Sequence, residues 1–348
     1  MTDRLLFSLL LCLTLLGPAV AAPAADALQR PALQVRQPAE AVLLSAALAG
    51  ERTVAVGERG IIVVSDDGGA SWRQVPSPVA VTLVAVRFAD ARHGVVVGHG
   101  GTVLTTSDGG EHWERRLDGV QAAELALEEA KASGDEARIR NAGYLVSDGP
   151  DKPFFDALMF DANRILVVGA YGLAFYTEDG GEHWTSWMER LDNPMGLHLY
   201  AVRGRAGTLL LAGEQGMLLR SIDGGGVFER LDSPYEGSFF TAELPAESDI
   251  LVAGLRGNVW RSKDGGASWR QIDVPMPASI TASTVTADGS VLLGNQAGFV
   301  MRLRDQTLSP LNRKPLPMLS ALLEGHDGQL IVLGFTGVVR VSFLDAAQ

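Results

Sequence analysis

The sequence predicts an all-β fold, a seven-bladed β-propeller, and three observations lead there. A pair of glycines recurs seven times, at Gly57/Gly60, Gly98/Gly101, Gly169/Gly172, Gly213/Gly216, Gly254/Gly257, Gly294/Gly298 and Gly334/Gly337. Successive first glycines are 41, 71, 44, 41, 40 and 40 residues apart, so one connection carries an insertion. Self-similarity at this period marks a repeat architecture whose units bury their faces against one another. Second, a turn follows most of the pairs: SDDGGASW (65–72), TSDGGEHW (106–113), TEDGGEHW (177–184), SIDGGGVF (221–228) and SKDGGASW (262–269). Third, the chain reads as cut inside a unit, with an outer strand at its start and none at its end.

Each unit reads as four strands. In the second they are LVAVRFAD (83–90), GVVVGH (94–99), GTVLTTS (101–107) and HWERRL (112–117), joined by short turns into an antiparallel meander. A small residue stands 12 or 13 positions before each glycine pair: Ser45, Ala85, Ala157, Ala201, Ala242, Ala282 and Ala321. Seven innermost strands converging on an axis need small side chains where they crowd, so this column is expected to face inward.

The recurrent turn fits the Asp-box pattern, Ser/Thr-x-Asp-x-Gly-x-x-Trp. An aspartate at the head of a glycine-rich turn accepts hydrogen bonds from nearby backbone N–H groups and fixes the hairpin. Asp67, Asp108, Asp179, Asp223 and Asp264 are therefore expected to pin turns, and Trp72, Trp113, Trp184, Phe228 and Trp269 to pack beneath them. Five equivalent copies cannot all line one catalytic centre, so these carboxylates are read as structural.

The ends complete the ring. LQVRQPAEAVLLSAAL (33–48) aligns with WRQVPSPVAVTLVAV (72–86), which makes residues near 33 an outer strand. GVVRVSFLD (337–345) is a third strand with no fourth after it, so the N-terminal strand is expected to close the last blade. The insertion, 118–156, falls between blades two and three. VQAAELALEEAKA (120–132) reads as a helix and Arg138–Ala142 as a second, short one, expected on the face that carries the Gly-x-x-Gly turns as a lid or docking arm.

LLFSLLLCLTLLGPAVAA, within residues 1–24, has the layout of a secretory signal peptide, cut near Ala21 to Ala25. The propeller then occupies 25–348. Cys12, the one cysteine, lies inside the apolar run and not at its end, so the exported chain is expected to carry neither disulfide nor lipid. A formal charge of -12 argues against a nucleic-acid partner, because nothing would replace counterions along phosphates. A monomeric ring is expected.

With the strands committed to packing, function falls to the loops of one face. The Gly-x-x-Gly turns present Glu58, Arg59, His99, Tyr171, Glu214, Gln215, Arg256 and Gln296. The proline-rich connections between blades add Asp192, Asn193, His198, Tyr235, Glu236, Arg313 and Lys314. This mixed polar and aromatic set suits a partner-binding surface. No metal or cofactor is expected: His112 and His183 are repeat positions, and His93, His99, His198 and His326 lack ligand spacing. Asp boxes are shared with sialidases, so glycan hydrolysis by Glu58 or Glu214 with Tyr171 or Tyr235 is the alternative, as is binding of a glycan or small ligand. Hydrolysis of sialic acid asks for three arginines, and these loops offer Arg59 and Arg256.

The VGxxGxIxxSxDGGxxW units, the seven blades, the export signal and closure by the N-terminal strand together resemble the photosystem II stability/assembly factor family, within the wider BNR/Asp-box group. The resemblance spans essentially the whole exported chain. It implies a non-enzymatic, chaperone-like protein of the periplasm or thylakoid lumen that helps a membrane-protein client, a photosystem II subunit where the host is photosynthetic, enter its complex. It also implies an arginine patch. Arg87 and Arg203 share a column, with Arg205, Arg256 and Arg261 as further candidates, whereas the lipoprotein cysteine of cyanobacterial members has no counterpart here.

Overall fold

Short valine- and leucine-rich runs between glycine turns pair with their neighbours in sequence. The computed structural model describes residues 26–341; the expected signal peptide lies outside them. Within them stand six four-stranded antiparallel sheets and one three-stranded sheet, each in simple meander order. The first strands are Leu43–Ala49, Leu83–Phe88, Phe154–Met159, Leu199–Arg205, Phe239–Ala246, Ile280–Val285 and Leu319–Glu324. Each packs on the next, and the seventh packs on the first, so the seven sheets are blades of a closed ring. The second strands are sandwiched between neighbouring blades. Gly94–Gly98, Ile165–Gly169 and Leu330–Gly334 are buried at every residue, which is why they read as unbroken apolar runs.

The seam between the last blade and the first is closed by packing. Leu43, Ala55, Ile61 and Val63 of blade one share a core with Ile331 and Leu333 of blade seven. Ser320 Oγ donates to the Leu43 carbonyl at 2.5 Å, and His326 Nε2 lies 2.7 Å from the Gly50 carbonyl. The closing segment differs in form from the expected strand. Among the described residues blade seven has three strands, and residues 33–37 add no ladder to it. Instead Pro38–Glu40 forms a 3-10 turn against the third strand, and Ala39 O sits where a Cβ on Gly337 would fall. Upstream, the chain forms a strap over blades one and two. Ala32 N donates to Ser77 O at 3.1 Å, Ala80 N to Ala27 O at 2.8 Å and Arg115 Nη1 to Leu28 O at 2.6 Å.

The insertion contains two helices, α1 (Gly119–Ser133) and α2 (Glu136–Ser147), the second longer than its sequence signal. Asp118 caps α1 by accepting from Val120 N and Gln121 N, and Gln121 completes a capping box. α1 begins against the Gly-x-x-Gly turn of blade two, where a Cβ on Gly101 would meet Gly119, and its alanine stripe docks on the blades. Ala122, Ala126 and Ala130 are buried in the core shared by blades two and three. Glu129 Oε1 accepts from Ser186 N on the outer strand of blade three. The helices therefore fill the wedge between two blades.

At the axis every first strand turns an unpaired edge inward, and side chains satisfy part of it. Ser45 Oγ accepts from Val86 N at 3.2 Å, while Asp156 accepts from Ala157 N at 2.9 Å and Val202 N at 3.1 Å. Strand register refines the expected column: Ser45, Ala85, Ala201, Ala282 and Ala321 hold it, but Asp156 and Thr241 replace Ala157 and Ala242. Asp156, 3% exposed at its side chain, also takes Arg87 at 2.5 Å and Arg203 at 2.6 Å. Arg203 reaches Glu243 at 3.6 Å, and Ser283 Oγ donates to Glu243 at 2.6 Å. Burial opposes the charge on both arginines. At Arg87 it prevails and lowers the pKa; at Arg203 the two carboxylates outweigh it and raise the pKa.

In the five glycine-rich turns each aspartate closes its own hairpin. Asp67 Oδ1 accepts from Ser71 N and Ser65 Oγ, both at 2.8 Å, and Ser65 Oγ accepts from Gly69 N. Asp108 and Asp179 accept from His112 N and His183 N, and each imidazole Nδ1 lies 2.7 Å from the second carboxylate oxygen. Asp264 repeats the serine version with Ser268, and Asp223 accepts from Gly226 N and Val227 N. Trp113, Trp184 and Phe228 are buried, with Trp113 Nε1 and Trp184 Nε1 bonded to the turn carbonyls of Gly110 and Gly181. Trp72 and Trp269 are half-buried.

Three outcomes follow. Trp113→Ala removes a buried aromatic and is expected to cost about 3–5 kcal/mol in denaturant unfolding. His112→Ala, whose ring is exposed, is expected to cost far less, and equal losses would contradict this packing. Asp156→Ala strands two arginines beside the axis and is expected to cost about 3 kcal/mol or more, with Asp156→Asn in between. Hydrogen bonds hold the carboxyls of Asp67, Asp108, Asp179 and Asp264 down at about 2, led by Ser71, His112, His183 and Ser268 respectively, with burial opposing most strongly at Asp108. A depressed folded-state pKa stabilises above the unfolded value of about 3.9 and is lost as pH falls toward 2. Equilibrium melts are therefore expected to hold above about pH 4 and to fall below it, with a shallower fall in Asp→Asn variants.

Candidate partner-binding face

Most Gly-x-x-Gly turns are forced by close backbone approach on both sides. In blade one, a Cβ on Gly57 would fall 1.9 Å from Val42 O, the carbonyl that accepts from Glu58 N. A Cβ on Gly60, at φ 75°, would fall 2.0 Å from Val79 O in the connection to blade two. Blade six departs from the glycine count: Asn295, not Gly294, pairs with Ile280 and occupies the first position. The residue before the second glycine is left-handed even where it is not glycine, at Arg59, Tyr171, Gln215 and Arg256 with φ between 51° and 58°. In blade two the same place is held by Gly100, φ 68°. Left-handed backbone is unfavourable for such residues, and four of them project from one face.

A second feature repeats at the same end of the ring. Register slips by one residue at the start of each first strand, leaving a bulge residue at the mouth of the axis: Leu44, Val84, Phe155, Tyr200, Phe240, Thr281 and Ser320. Thr281 Oγ1 and Ser320 Oγ bond the carbonyls of Leu319 and Leu43 in the following blades. The other five are apolar or aromatic and half-buried. In blades three to five they form an arc. The Phe155 ring lies 5.3 Å from Tyr200, and Tyr200 lies 5.5 Å from Phe240. His198 joins it, 6.1 Å from both Phe155 and Tyr200 and 5.0 Å from Tyr171. Tyr200 has its pKa raised by burial and by the Glu214 carboxylate.

Of the expected residues, Tyr171 and Glu214 are brought together through His198. Tyr171 N donates to His198 Nδ1 at 2.9 Å, and His198 N donates to Glu214 Oε2 at 3.1 Å. Tyr171 is 61% exposed, so its ring stands above the arc. Tyr235 is half-buried, its ring 5.9 Å from Phe239 and its hydroxyl 3.5 Å from the Leu255 carbonyl. Gln215, Arg256 and Gln296 are exposed on blades four, five and six. Glu58 and Arg59 stand on blade one and His99 on blade two, near the part of the face that the strap crosses. There Leu28 is buried, and a Cβ on Gly100 would meet its side chain. The strap narrows the open face to the side of blades three to six.

The expected arginine patch is dispersed. Arg87 and Arg203 are spent on Asp156 in the axis, and Arg261 pairs with Asp249 at 2.7 Å. Arg59 and Arg256 remain exposed on the face. Phe155, Tyr200 and Phe240 were missed in the sequence, although each directly follows the apolar residue that starts a first strand; that column was the available signal. Among the described residues no group of three or more His, Cys, Asp or Glu is placed to hold a metal ion.

With this geometry in hand, the chain compares as follows. The family model for the photosynthesis system II assembly factor YCF48 matches residues 70–152, which run from the Asp box of blade one through blade two and both helices. The structure of YCF48 from Cyanidioschyzon merolae superposes with a TM-score of 0.63 at 17% identity, covering 88% of this chain and 97% of that one. YCF48 bound to D1 peptide superposes with a TM-score of 0.64 at 16% identity, covering 89% and 98%. The WD40 β-propeller domain of Doa1 gives 0.61 at 9% identity, covering 91% and 96%. No curated protein matches significantly. The family model thus matches this chain over residues 70–152, and the solved structures share its propeller fold.

Proposed function

We propose that this chain is a non-enzymatic scaffold resembling photosystem II assembly factors, exported to a periplasm or thylakoid lumen, which holds a segment of a membrane-protein client on the open Gly-x-x-Gly face. The observation that carries the reading is the aromatic arc of Phe155, Tyr200 and Phe240 beneath the strained tips of Tyr171, Gln215 and Arg256. Half-exposed rings on a rigid rim suit capture of an extended segment, because they supply contact area with little ordering cost. The likeness to a propeller solved with a D1 peptide supports the class of partner. The glycosidase alternative gains nothing from the site: Glu214 is engaged by the His198 backbone, and Glu58 belongs to blade one.

Binding of a D1-derived peptide to the exported chain tests the reading, together with identification of membrane proteins cross-linked to it in native membranes. Tyr200→Ala with Phe240→Ala is expected to weaken capture at least about tenfold, the scale of interface aromatic anchors, while the chain stays folded. Capture unchanged by that double variant, or no membrane-protein client by either method, would overturn it.

A further inference from the structure

The face has an anchor that can titrate. Tyr171 N–H points at His198 Nδ1, 2.9 Å away, and that nitrogen can accept the bond only in a neutral imidazole whose proton is on Nε2. A proton on Nδ1 would set two N–H groups against each other. The nearest recorded carboxylate is Glu214 Oε2, 3.9 Å from Nδ1, and it already accepts from His198 N. The ionisable groups around the ring are thus Glu214 from the blade-four turn, Tyr171 from the blade-three turn, and Tyr200 from the adjoining strand; Phe155 adds a neutral ring. Histidine is the side chain whose ordinary titration falls between pH 5 and 8.

Blade five supplies the contrast. Ser279 stands directly before the first strand of blade six, as His198 stands directly before that of blade four. Its Oγ accepts from Arg256 N at 3.1 Å, and Arg256 occupies the same left-handed turn position as Tyr171. One anchor is a hydroxyl that keeps its lone pairs at any ordinary pH; the other is an imidazole that loses its acceptor on protonation.

We propose that His198 is a positioning residue of this face: its neutral imidazole holds the Tyr171 turn, and its protonation releases that turn and weakens capture on the acid side. The inference rests on the reading that the face binds client. The turn itself is read without any client, by the hydrogen-exchange protection of the Tyr171 amide while the His198 ring nitrogens are titrated by NMR. In the wild type, protection is expected to fall at least about fivefold as the ring protonates, the factor for a net hydrogen bond of about 1 kcal/mol. His198→Ser, which copies the blade-five anchor, is expected to keep protection independent of pH, and His198→Ala to lack it throughout. Binding of the D1-derived peptide is expected to follow the same profile in the wild type and to lose it in His198→Ser. Protection that is unmoved by ring protonation would overturn the anchor, and peptide affinity equal on both sides of the titration would overturn its link to capture. A peptide that binds at no pH would count against the binding face, whereas the Tyr171 profile stands as its own measurement.

Discussion

A propeller turns the free edge of every innermost strand toward its own axis, and the rest of this structure depends on how that edge is satisfied. Seven strands converge there, so side chains must be small where they crowd, yet backbone N–H groups need acceptors. Alanines meet the first demand and Ser45 and Asp156 the second. Asp156 serves four groups on three blades, which makes one carboxylate a shared fastener for blades two, three and four. Arginines beside a small axis are tolerable because carboxylates alternate with them, from Arg87 through Asp156 and Arg203 to Glu243.

The opposite ends of the blades divide the labour. On one side five Asp boxes close their hairpins chiefly with bonds from the aspartate to its own turn, and arginines of the preceding blade bond three of those turns. On the other side the glycine turns use their bonds to grip the chain that links one blade to the next. Glu58 N, His99 N, Ala170 N and Glu214 N each donate to the residue before a first strand. Those bonds fix the turn base and leave its tip side chain pointing out. Stability is thus assigned to one side, and the other carries strained, displayed residues without endangering the ring.

Much of this was legible in the sequence because it repeats. Glycine pairs spaced by close backbone contact and Asp boxes held by local bonds leave the same residues in the same order each time, so blade number, strand order and the structural aspartates could all be read. What did not repeat was harder to read. Asp156 breaks the alanine column in one blade, and the expected column slid by one residue there and at Thr241. The aromatic arc was missed for a related reason: a bulge changes which side chain faces the mouth, and strand alternation alone does not reveal a bulge. The strap escaped notice because it binds through backbone groups and single side chains such as Gln74 and Arg115, which form no periodic pattern.

Charge placement links the axis to the face. The chain is acidic overall at -12, yet many of its arginines are committed inside or along the rim. Arg52 pairs with Asp66, Arg73 and Arg116 with glutamates of the following blades' turns, and Arg220 with Glu229. Pairs within and between blades at the Asp-box side therefore consume cationic groups that a residue count alone would assign to a basic patch. What the open face presents is a set of rings with polar tips around them, the arrangement in which apolar contact supplies affinity and the few charges select orientation. His198 sits where those two roles meet, since its ring packs in the arc while its nitrogen holds the tip. A surface built in this way has its ring contacts fixed by the fold and its tip geometry open to control by a single proton.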